Sequence, residues 1–258
     1  MSDLADVARA LASRPGIEAS NVIVAECVDS TNTLARRLLE EAWTGPGPCP
    51  EVVIVALEQT AGRGRQGRSW VSRRGLGVYV TLLAAVDEAE LQTLPLLVGV
   101  GLARALRRLG CPVRLKWPND LQVDGRKLGG ILIESISREA STAAAIIGFG
   151  VNHGHLRREL PTPIAISLRE VLDPLPPLPE LIADLVEAVA VERAHAGDAD
   201  YARQAYEELT VHRPGQTLRC RVAHEDLEGV FLGFDERGFL RLAVDGGERR
   251  VASGEIVE

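Results

Sequence analysis

Apolar segments with strand character alternate along this chain with segments of helical periodicity, and this alternation is the strongest constraint on its fold. Residues 51–57 and 76–83 are apolar and rich in β-branched side chains, which predicts two strands. Residues 96–109 show a helical pattern that ends at Gly110, a typical residue after a helix. By the same criteria, further strands are predicted at 22–27, 113–116, 121–123, 126–134 and 143–149. Further helices are predicted at 3–13, 178–194 and 201–209, and another begins after an N-cap at Ser30 or Thr31. The glycine- and proline-rich residues 45–50 predict a loop.

The pattern changes at residues 212–215, whose sequence is His-Arg-Pro-Gly. Short alternating strands are predicted after it, at 217–223, 228–234, 239–244 and 249–252, with glycine-containing turns between them. A few short strands in so few residues are typical of a small β-barrel that leans on a larger domain. We therefore predict a main domain over 1–211 and a second domain over 212–258.

Composition excludes several classes of protein. The 258 residues carry a net charge of −7, opposite to that of a protein that coats nucleic acid. No run of about 18 apolar residues is present, so no membrane span is predicted. The first residues are acidic, unlike a secretory signal, and the four cysteines include no C-x-x-C pair. We expect a cytoplasmic protein without a zinc site or a disulfide framework.

The segment from Gly62 to Arg68 has the sequence Gly-Arg-Gly-Arg-Gln-Gly-Arg and lies between two predicted strands. Glycines let backbone N–H groups approach an anion, and arginines add fixed cationic forks. No Gly-Lys-Ser/Thr follows, so this is not a Walker A loop. The flanking strands favour an anion-binding lid over residues 62–74, mobile without ligand. A solvated surface loop and an RNA-binding arginine tract are the alternatives.

Lysine occurs at only two positions, Lys116 and Lys127, among 29 basic residues. A coding bias towards arginine explains the composition, but two lysines kept in one segment suggest a task for a compact, mobile ammonium. Lys116 begins the turn Lys-Trp-Pro-Asn-Asp, which ends at Asp120 and presents a cation, an amide and a carboxylate together. Such a set suits a phosphate with its Mg²⁺ or an incoming amine, and a capped turn with a surface ion pair is the alternative. Lys127 lies just before Gly129 and Gly130, and glycines inside a strand often mark the close approach of a ligand.

These motifs, taken in order, resemble the biotin protein ligases. The resemblance rests on Ser30-Thr31-Asn32, Glu58-Gln59-Thr60, the Gly62–Arg68 loop with Trp70, Lys116–Asp120, Arg126–Leu132 and Gly148–Asn152, and covers roughly residues 25–155. It implies an α/β (α+β) fold: a mixed-sheet catalytic domain similar to class II aminoacyl-tRNA synthetases, followed by a small SH3-like β-barrel. Lipoate ligases share that fold but differ in the Gly-Arg loop and the Lys-Trp-Pro-Asn-Asp turn.

The resemblance implies a two-step reaction in which biotin and MgATP give biotinyl-5′-AMP, and a lysine of a biotin carboxyl carrier domain then takes the biotinyl group. The implied catalytic residues are Lys127, Arg65 and Asp120, of which Asp120 is a hypothesis for orienting the amine. Implied biotin-binding residues are Ser30, Thr31, Asn32, Gln59, Gly62, Arg63, Gly64, Arg65, Lys127, Gly130 and Leu132. Implied ATP-binding residues are Arg65, Arg68, Trp70, Lys116, Asn119 and Asn152. No metal is expected to be fixed by the protein alone, and Mg²⁺ would arrive with ATP.

Two departures from the family pattern qualify this picture. Only about 29 residues precede Ser30, too few for the helix-turn-helix domain of bifunctional members, so a ligase without specific DNA binding is expected. Phe149 is bulkier than the small residue expected within Gly148–Asn152. A lipoyl or octanoyl ligase or transferase on the same fold is the closest alternative function, and a noncatalytic binding protein is a more distant one.

Overall fold

A computed structural model describes residues 4–43, 49–139, 142–223 and 225–257 of the protein. Its α-helices are α1 (Leu4–Ala12), α2 (Thr31–Ala42), α3 (Glu88–Arg108), α4 (Leu178–Arg193) and α5 (Ala199–Leu209). Its strands are β1 (Val22–Ala25), β2 (Val52–Ala56), β3 (Gly77–Val86), β4 (Arg114–Lys116), β5 (Asp120–Val123), β6 (Arg126–Glu139), β7 (Thr142–Asn152), β8 (Thr217–Val222), β9 (Glu225–Phe234), β10 (Leu240–Val244), β11 (Gly247–Val251) and β12 (Glu255–Val257). Of the predicted loop at 45–50, residues 45–48 lie outside the described part.

A seven-stranded mixed sheet forms the centre of the molecule, with strand order β1-β2-β3-β7-β6-β5-β4. β1 pairs with β2 in parallel, and every other pair in this sheet is antiparallel. The longest ladders join β3 to β7 and β7 to β6, so these three strands form its middle. A tight turn at Asp124-Gly125, with both residues at positive φ, joins β5 to β6 in an antiparallel hairpin.

Side chains alternate between the two faces of the central sheet, as the two-residue period of a strand requires. On β7, Ile147, Phe149 and Val151 pack into the large core beneath α3 and α4. Ala144 and Ile146 face the opposite side and pack against α2. The positions that continue this second face towards the end of β7 are Gly148 and Gly150. One face of the sheet is therefore covered by the main core. The other face is covered by α2 only in part, and the region around Gly148 and Gly150 is left open.

Helix α3 begins at Glu88 and not at residue 96, so the sequence prediction placed its start too late. The first turn is fixed by a capping box: Asp87 accepts from the Glu90 N–H, and Glu90 accepts from the Asp87 N–H. Pro95 lies inside the helix and made an earlier start less probable from sequence, since proline removes a hydrogen bond. The reciprocal cap and the buried side chains that follow it outweigh that cost.

Among the described residues, α3 is also the helix with the length and apolar content that would suffice to cross a membrane. Most of its apolar window, 67%, is buried inside the protein. Its residues from Leu94 to Leu106 contribute to the main hydrophobic core, so α3 is packed as a core helix.

Residues 217–257 form a separate five-stranded antiparallel sheet of order β11-β10-β9-β8-β12. The predicted strands of this region are present, although β9 begins at Glu225, three residues before its predicted start. Strand β12 was not predicted, because three residues are too short for a periodic signal. It pairs with β8 and brings Glu255 to the edge of the larger sheet's open face.

Two glycines in the middle of α3 give a matched test of how tightly this helix packs. A Cβ on Gly101 would lie 2.8 Å from the Ala188 carbonyl oxygen of α4, whereas one on Gly99 would meet methyl groups of Leu115 at 3.5 Å and of Ile131 at 3.7 Å. We predict that Gly101→Ala lowers the free energy of unfolding by about 2 kcal/mol through overpacking. Gly99→Ala should raise it by up to about 1 kcal/mol through helix propensity. Denaturant titration of both variants checks this, and equal effects would contradict the packing described.

Candidate active site

A cleft of about 320 Å³ lies on the open face of the central sheet, between the Gly-Arg loop, the Lys116–Asp120 turn and β6. Most of the residues that sequence analysis singled out line it. They are Ser30, Thr31, Asn32, Gln59, Arg63, Gly64, Arg65, Arg68, Trp70, Lys116, Asn119, Asp120, Lys127, Gly130, Leu132 and Asn152. Gly62 does not line the cleft: it lies at the base of the loop, where its carbonyl accepts from the Trp70 N–H at 2.8 Å and a Cβ would come within 2.3 Å of the Trp70 carbonyl oxygen. Its role is to let the loop close on itself.

The floor of the cleft consists of glycines on adjacent strands. Gly130 of β6 pairs with Gly150 of β7, and the Trp70 ring lies against both. Gly148 leaves room for Asn32, whose Oδ1 would be 2.1 Å from a Cβ at that position. Phe149 is buried in the main core on the opposite face, and it also borders the cleft.

At one end of the cleft, the start of α2 meets the segment after β2. Gln59 Oε1 accepts hydrogen bonds from the Thr31 N–H at 2.8 Å and from the Thr31 hydroxyl at 3.1 Å, and Gln59 Nε2 donates to Ser72 Oγ at 2.7 Å. Ser30 is buried and lines the cleft, and its hydroxyl makes no hydrogen bond to any described residue. This end therefore offers a hydroxyl and the second amide hydrogen of Gln59 to a small polar group.

Asn32 has little free capacity for a ligand. Its Oδ1 accepts from the Thr81 hydroxyl at 2.7 Å, and its Nδ2 donates to the Leu132 carbonyl and to Glu134 Oε2. Glu134 also binds Arg63 of the loop and Arg36 of α2. Sequence analysis missed Glu134, although strand alternation placed it on the same face as Gly130 and Leu132.

At the other end of the cleft, Lys127 donates to Asp120 Oδ1 at 2.6 Å, and its ammonium lies 5.7 Å from the centre of the Trp70 ring. The backbone of Lys127 is fixed on its outer side by hydrogen bonds with Ile164 and Ile166. Lys127 and Asp120 are about one-third and one-quarter exposed, at 34% and 23%. The ammonium is therefore oriented but accessible from the cleft.

Two arginines of the Gly-Arg loop reach the same end. Arg65 donates to Asn119 Oδ1 at 3.4 Å, and burial lowers the pKa of its guanidinium, with Asp120 acting in the opposite direction. Asn119 in turn donates to the Ile131 carbonyl and so docks the turn on β6. Arg68 makes a two-pronged ion pair with Glu255, and this hydrogen bonding lowers the pKa of the Glu255 carboxyl. The second sheet thus contributes one wall of the cleft.

The Lys116–Asp120 turn is also anchored by the second sheet and its connection. The Trp117 N–H donates to His212 Nε2 at 3.1 Å, and the Trp117 indole donates to the Gly238 carbonyl at 3.2 Å. Burial, with Lys116 nearby, lowers the pKa of His212 to about 4, so the ring is neutral and can accept at neutral pH. Among the described residues, no group of three or more His, Cys, Asp or Glu side chains is placed to hold a metal ion.

The remaining predicted residue, Asn152, is buried at the end of β7 and donates to the Ile166 carbonyl. It therefore supports the segment that packs behind Lys127. The cleft as a whole combines a polar pocket at one end with two arginines and two lysines at the other, joined by a glycine floor.

Residues 24–152 match the model of the biotin/lipoate A/B protein ligase family, and residues 215–257 match the biotin protein ligase C terminal domain. The chain belongs to the biotin protein ligases. It is therefore a biotin ligase, and the expected mixed α/β fold followed by a small β domain is confirmed.

Several characterised proteins are similar over most of the chain. The bifunctional ligase/repressor BirA of Escherichia coli is 31% identical over 250 residues, which cover 93% of this chain and 74% of that protein. The biotin–[acetyl-CoA-carboxylase] ligase of Paracoccus denitrificans is 30% identical over 88% of this chain and 96% of its own length. Among solved structures, the biotin protein ligase of Aquifex aeolicus in complex with biotin and ATP superposes with a TM-score of 0.73 at 26% identity, covering 92% and 97% of the two chains.

The buried neutral His212 predicts a specific pH dependence of stability. Its pKa is about 6.5 in an unfolded chain and about 4 in the folded protein. Between those values only the unfolded state takes up the proton, so the free energy of unfolding falls as the pH drops from about 6.5 to 4. His212→Gln should remove up to about 3 kcal/mol of that fall.

Urea titrations of wild type and His212→Gln across this pH range measure the difference. His153 and His155 are also buried with lowered pKa values, so their effect is common to both proteins and cancels. Parallel pH profiles for the two proteins would show that His212 is not held neutral by the fold.

Proposed function

We propose that this ligase activates biotin with ATP to biotinyl-5′-AMP and transfers the biotinyl group to a lysine of a biotin carboxyl carrier domain. The observation that carries the proposal is the order of groups along one cleft. A pocket with a free hydroxyl and a free amide hydrogen lies at one end, and Lys127 with Arg65 lies at the other. A ligand with a polar uncharged head and a carboxylate tail fits that order.

At the polar end, Ser30, Thr31 and Gln59 would receive the ureido head of biotin. Gln59 is already oriented by Thr31 and Ser72, so its remaining N–H points in one direction without further ordering. Gly130 and Leu132 would line the apolar part of the pocket. Asn32 would support this end indirectly, since its polar atoms are engaged within the protein.

At the cationic end, the biotin carboxylate would attack the α-phosphorus of ATP, forming the mixed anhydride and releasing pyrophosphate. The carboxylate is its own nucleophile, so this step needs charge neutralisation and alignment and no general base. Lys127 and Arg65 would neutralise the developing charge between the two reactants. Arg68, Trp70, Lys116, Asn119 and Asn152 would surround the nucleotide or support the segments that do.

Magnesium would enter with ATP. The two carboxylates that line the cleft, Asp120 and Glu255, are already paired with Lys127 and Arg68, so the phosphates would supply most of its ligands. When bound, the ion offsets phosphate charge and orients the triphosphate.

In the second step, the neutral ε-amine of the acceptor lysine would attack the carbonyl of the anhydride, and AMP would leave. Asp120 lies beside Lys127 at the cleft and is the candidate for orienting that amine. The carrier domain belongs to a biotin-dependent carboxylase, and the reaction would take place in the cytoplasm, where such acceptors are made.

We predict that Lys127→Ala slows biotin-dependent pyrophosphate release by about 10²-fold or more, because the charge between carboxylate and phosphate is no longer neutralised. Lys127→Arg should recover little of this rate, since a flat fork does not replace a compact ammonium at a close site. Transfer from presynthesised biotinyl-AMP to a carrier domain should be affected less than adenylation. Pyrophosphate release with biotin, and biotin incorporation into the carrier, are the two measurements.

Lipoate and octanoate serve as control substrates in the same assay. The proposal requires pyrophosphate release from wild type with biotin and not with either fatty acid. Release with lipoate but not biotin would overturn the proposed substrate. Unchanged adenylation by a folded Lys127→Ala variant would overturn the role of Lys127.

A further inference from the structure

One carboxylate beneath the Gly-Arg loop holds four hydrogen bonds. Glu134 Oε1 accepts from Arg63 and Arg36, and Oε2 accepts from Arg63 and from Asn32 Nδ2, all at 3.0 Å. Two oxygens of an ionised carboxylate accept about four hydrogen bonds in total, so this group is saturated. The bond to Arg63 is two-pronged, which fixes the orientation of the guanidinium as well as its position.

These four bonds join three separate parts of the chain. Arg36 and Asn32 belong to α2, Arg63 belongs to the loop, and Glu134 itself lies on β6. Through Asn32 the network extends to Thr81 of β3 and to the Leu132 carbonyl. Glu134 is therefore the point at which the loop, the helix and the sheet around the polar end are tied together.

The charges in this network also require one another. Glu134 is only 16% exposed, and Arg63 and Arg36 would repel each other without it. Burial alone would raise the pKa of Glu134, but hydrogen bonds from Asn32, Arg63 and Arg36, together with the charge of Arg63, outweigh burial and lower it. The carboxylate is therefore ionised at neutral pH.

Glu134 does not line the cleft, whereas Asn32 and Arg63, which it holds, do. No described contact joins it to Lys127, Asp120 or Arg68 at the cationic end. Loss of the Glu134 charge should consequently disturb the polar end of the cleft and leave the residues of the cationic end in place.

We propose that Glu134 is a positioning residue for biotin: it acts through Arg63 and Asn32 to hold the loop over the polar end of the cleft. This inference rests on the proposed function and adds a residue that touches neither substrate. It implies that the interaction of Glu134 with the loop contributes to biotin binding and not to the chemical step.

The test is the kinetic effect of Glu134→Gln. In glutamine, one carboxylate oxygen is replaced by an NH2 group, which faces the N–H donors of Arg63, Arg36 or Asn32 and cannot accept from them. The network therefore loses an acceptor as well as a negative charge. The KM for biotin in pyrophosphate release should rise about tenfold or more, with kcat and the KM for ATP within about twofold of wild type. Glu134→Asp, which keeps the charge, should recover part of the biotin affinity.

A second readout does not depend on activity. In the absence of ligand, trypsin should cleave after Arg65 faster in Glu134→Gln than in wild type, because the loop has lost its anchor. Arg36→Gln removes one outer bond of the network and should raise the KM for biotin by only about threefold. This milder variant keeps the test possible if Glu134→Gln folds poorly.

Glu192→Gln is the matched control, because Glu192 is a buried carboxylate bound to Arg104 and Tyr201, and none of these three residues lines the cleft. It should lower stability without changing the KM for biotin. An unchanged biotin KM in a folded Glu134→Gln variant would overturn the inference, as would a rise in the KM for ATP equal to that for biotin. Failure of the proposed function is distinct, since wild type itself would then release no pyrophosphate with biotin.

Discussion

Gly130 and Gly150 face each other across β6 and β7, and the indole of Trp70 lies against the bare backbone they leave. A Cβ on Gly150 would come within 2.6 Å of the indole Nε1, so any larger residue at this position would displace the Trp70 ring. The indole N–H finds no acceptor among the described residues, so packing against the glycines and the nearby Lys127 ammonium hold the ring without a hydrogen bond from the indole. Because the Trp70 N–H also closes the loop on the Gly62 carbonyl, the seated ring sets the distance between the loop and the sheet. This distance between the loop and the sheet in turn places Arg65 at the cationic end of the cleft, where it reaches Asn119.

The second sheet completes the site from outside. His212 and Gly238 accept hydrogen bonds from the two N–H groups of Trp117, and Glu255 binds Arg68 of the loop. The Lys116–Asp120 turn and the arginine-rich loop are thus both held by residues that follow position 211 in the chain. The small sheet therefore helps to position the loop, because a loop with several arginines and few apolar side chains has little packing of its own to anchor it.

Local sequence signals were sufficient for most elements and for part of the cleft, and the family resemblance supplied the other predicted lining residues. Strand periodicity and glycine-rich motifs act over a few residues, and Lys127, Gly130 and the Gly-Arg loop carried such signals themselves. What the sequence did not reveal depends on distant partners. Glu134 and His212 have ordinary neighbours in the chain, and their importance arises from Arg63, Asn32 and Trp117, which the fold brings to them. The early start of α3 was missed because Pro95 is a local signal against helix. In the folded protein, the Asp87–Glu90 capping box and the buried side chains of α3 outweigh that signal.

The affinity for biotinyl-AMP of a Gly150→Ala variant tests the central claim most directly, measured by titration calorimetry beside Gly154→Ala. A Cβ at Gly154 would meet only a Leu76 methyl group at 3.6 Å, so it controls for a glycine replacement near the same strand end. If the seated indole holds the loop over the cleft, Gly150→Ala should weaken binding by about 10²-fold, while Gly154→Ala stays within about threefold of wild type. Equal affinities for wild type and a folded Gly150→Ala protein would contradict the account.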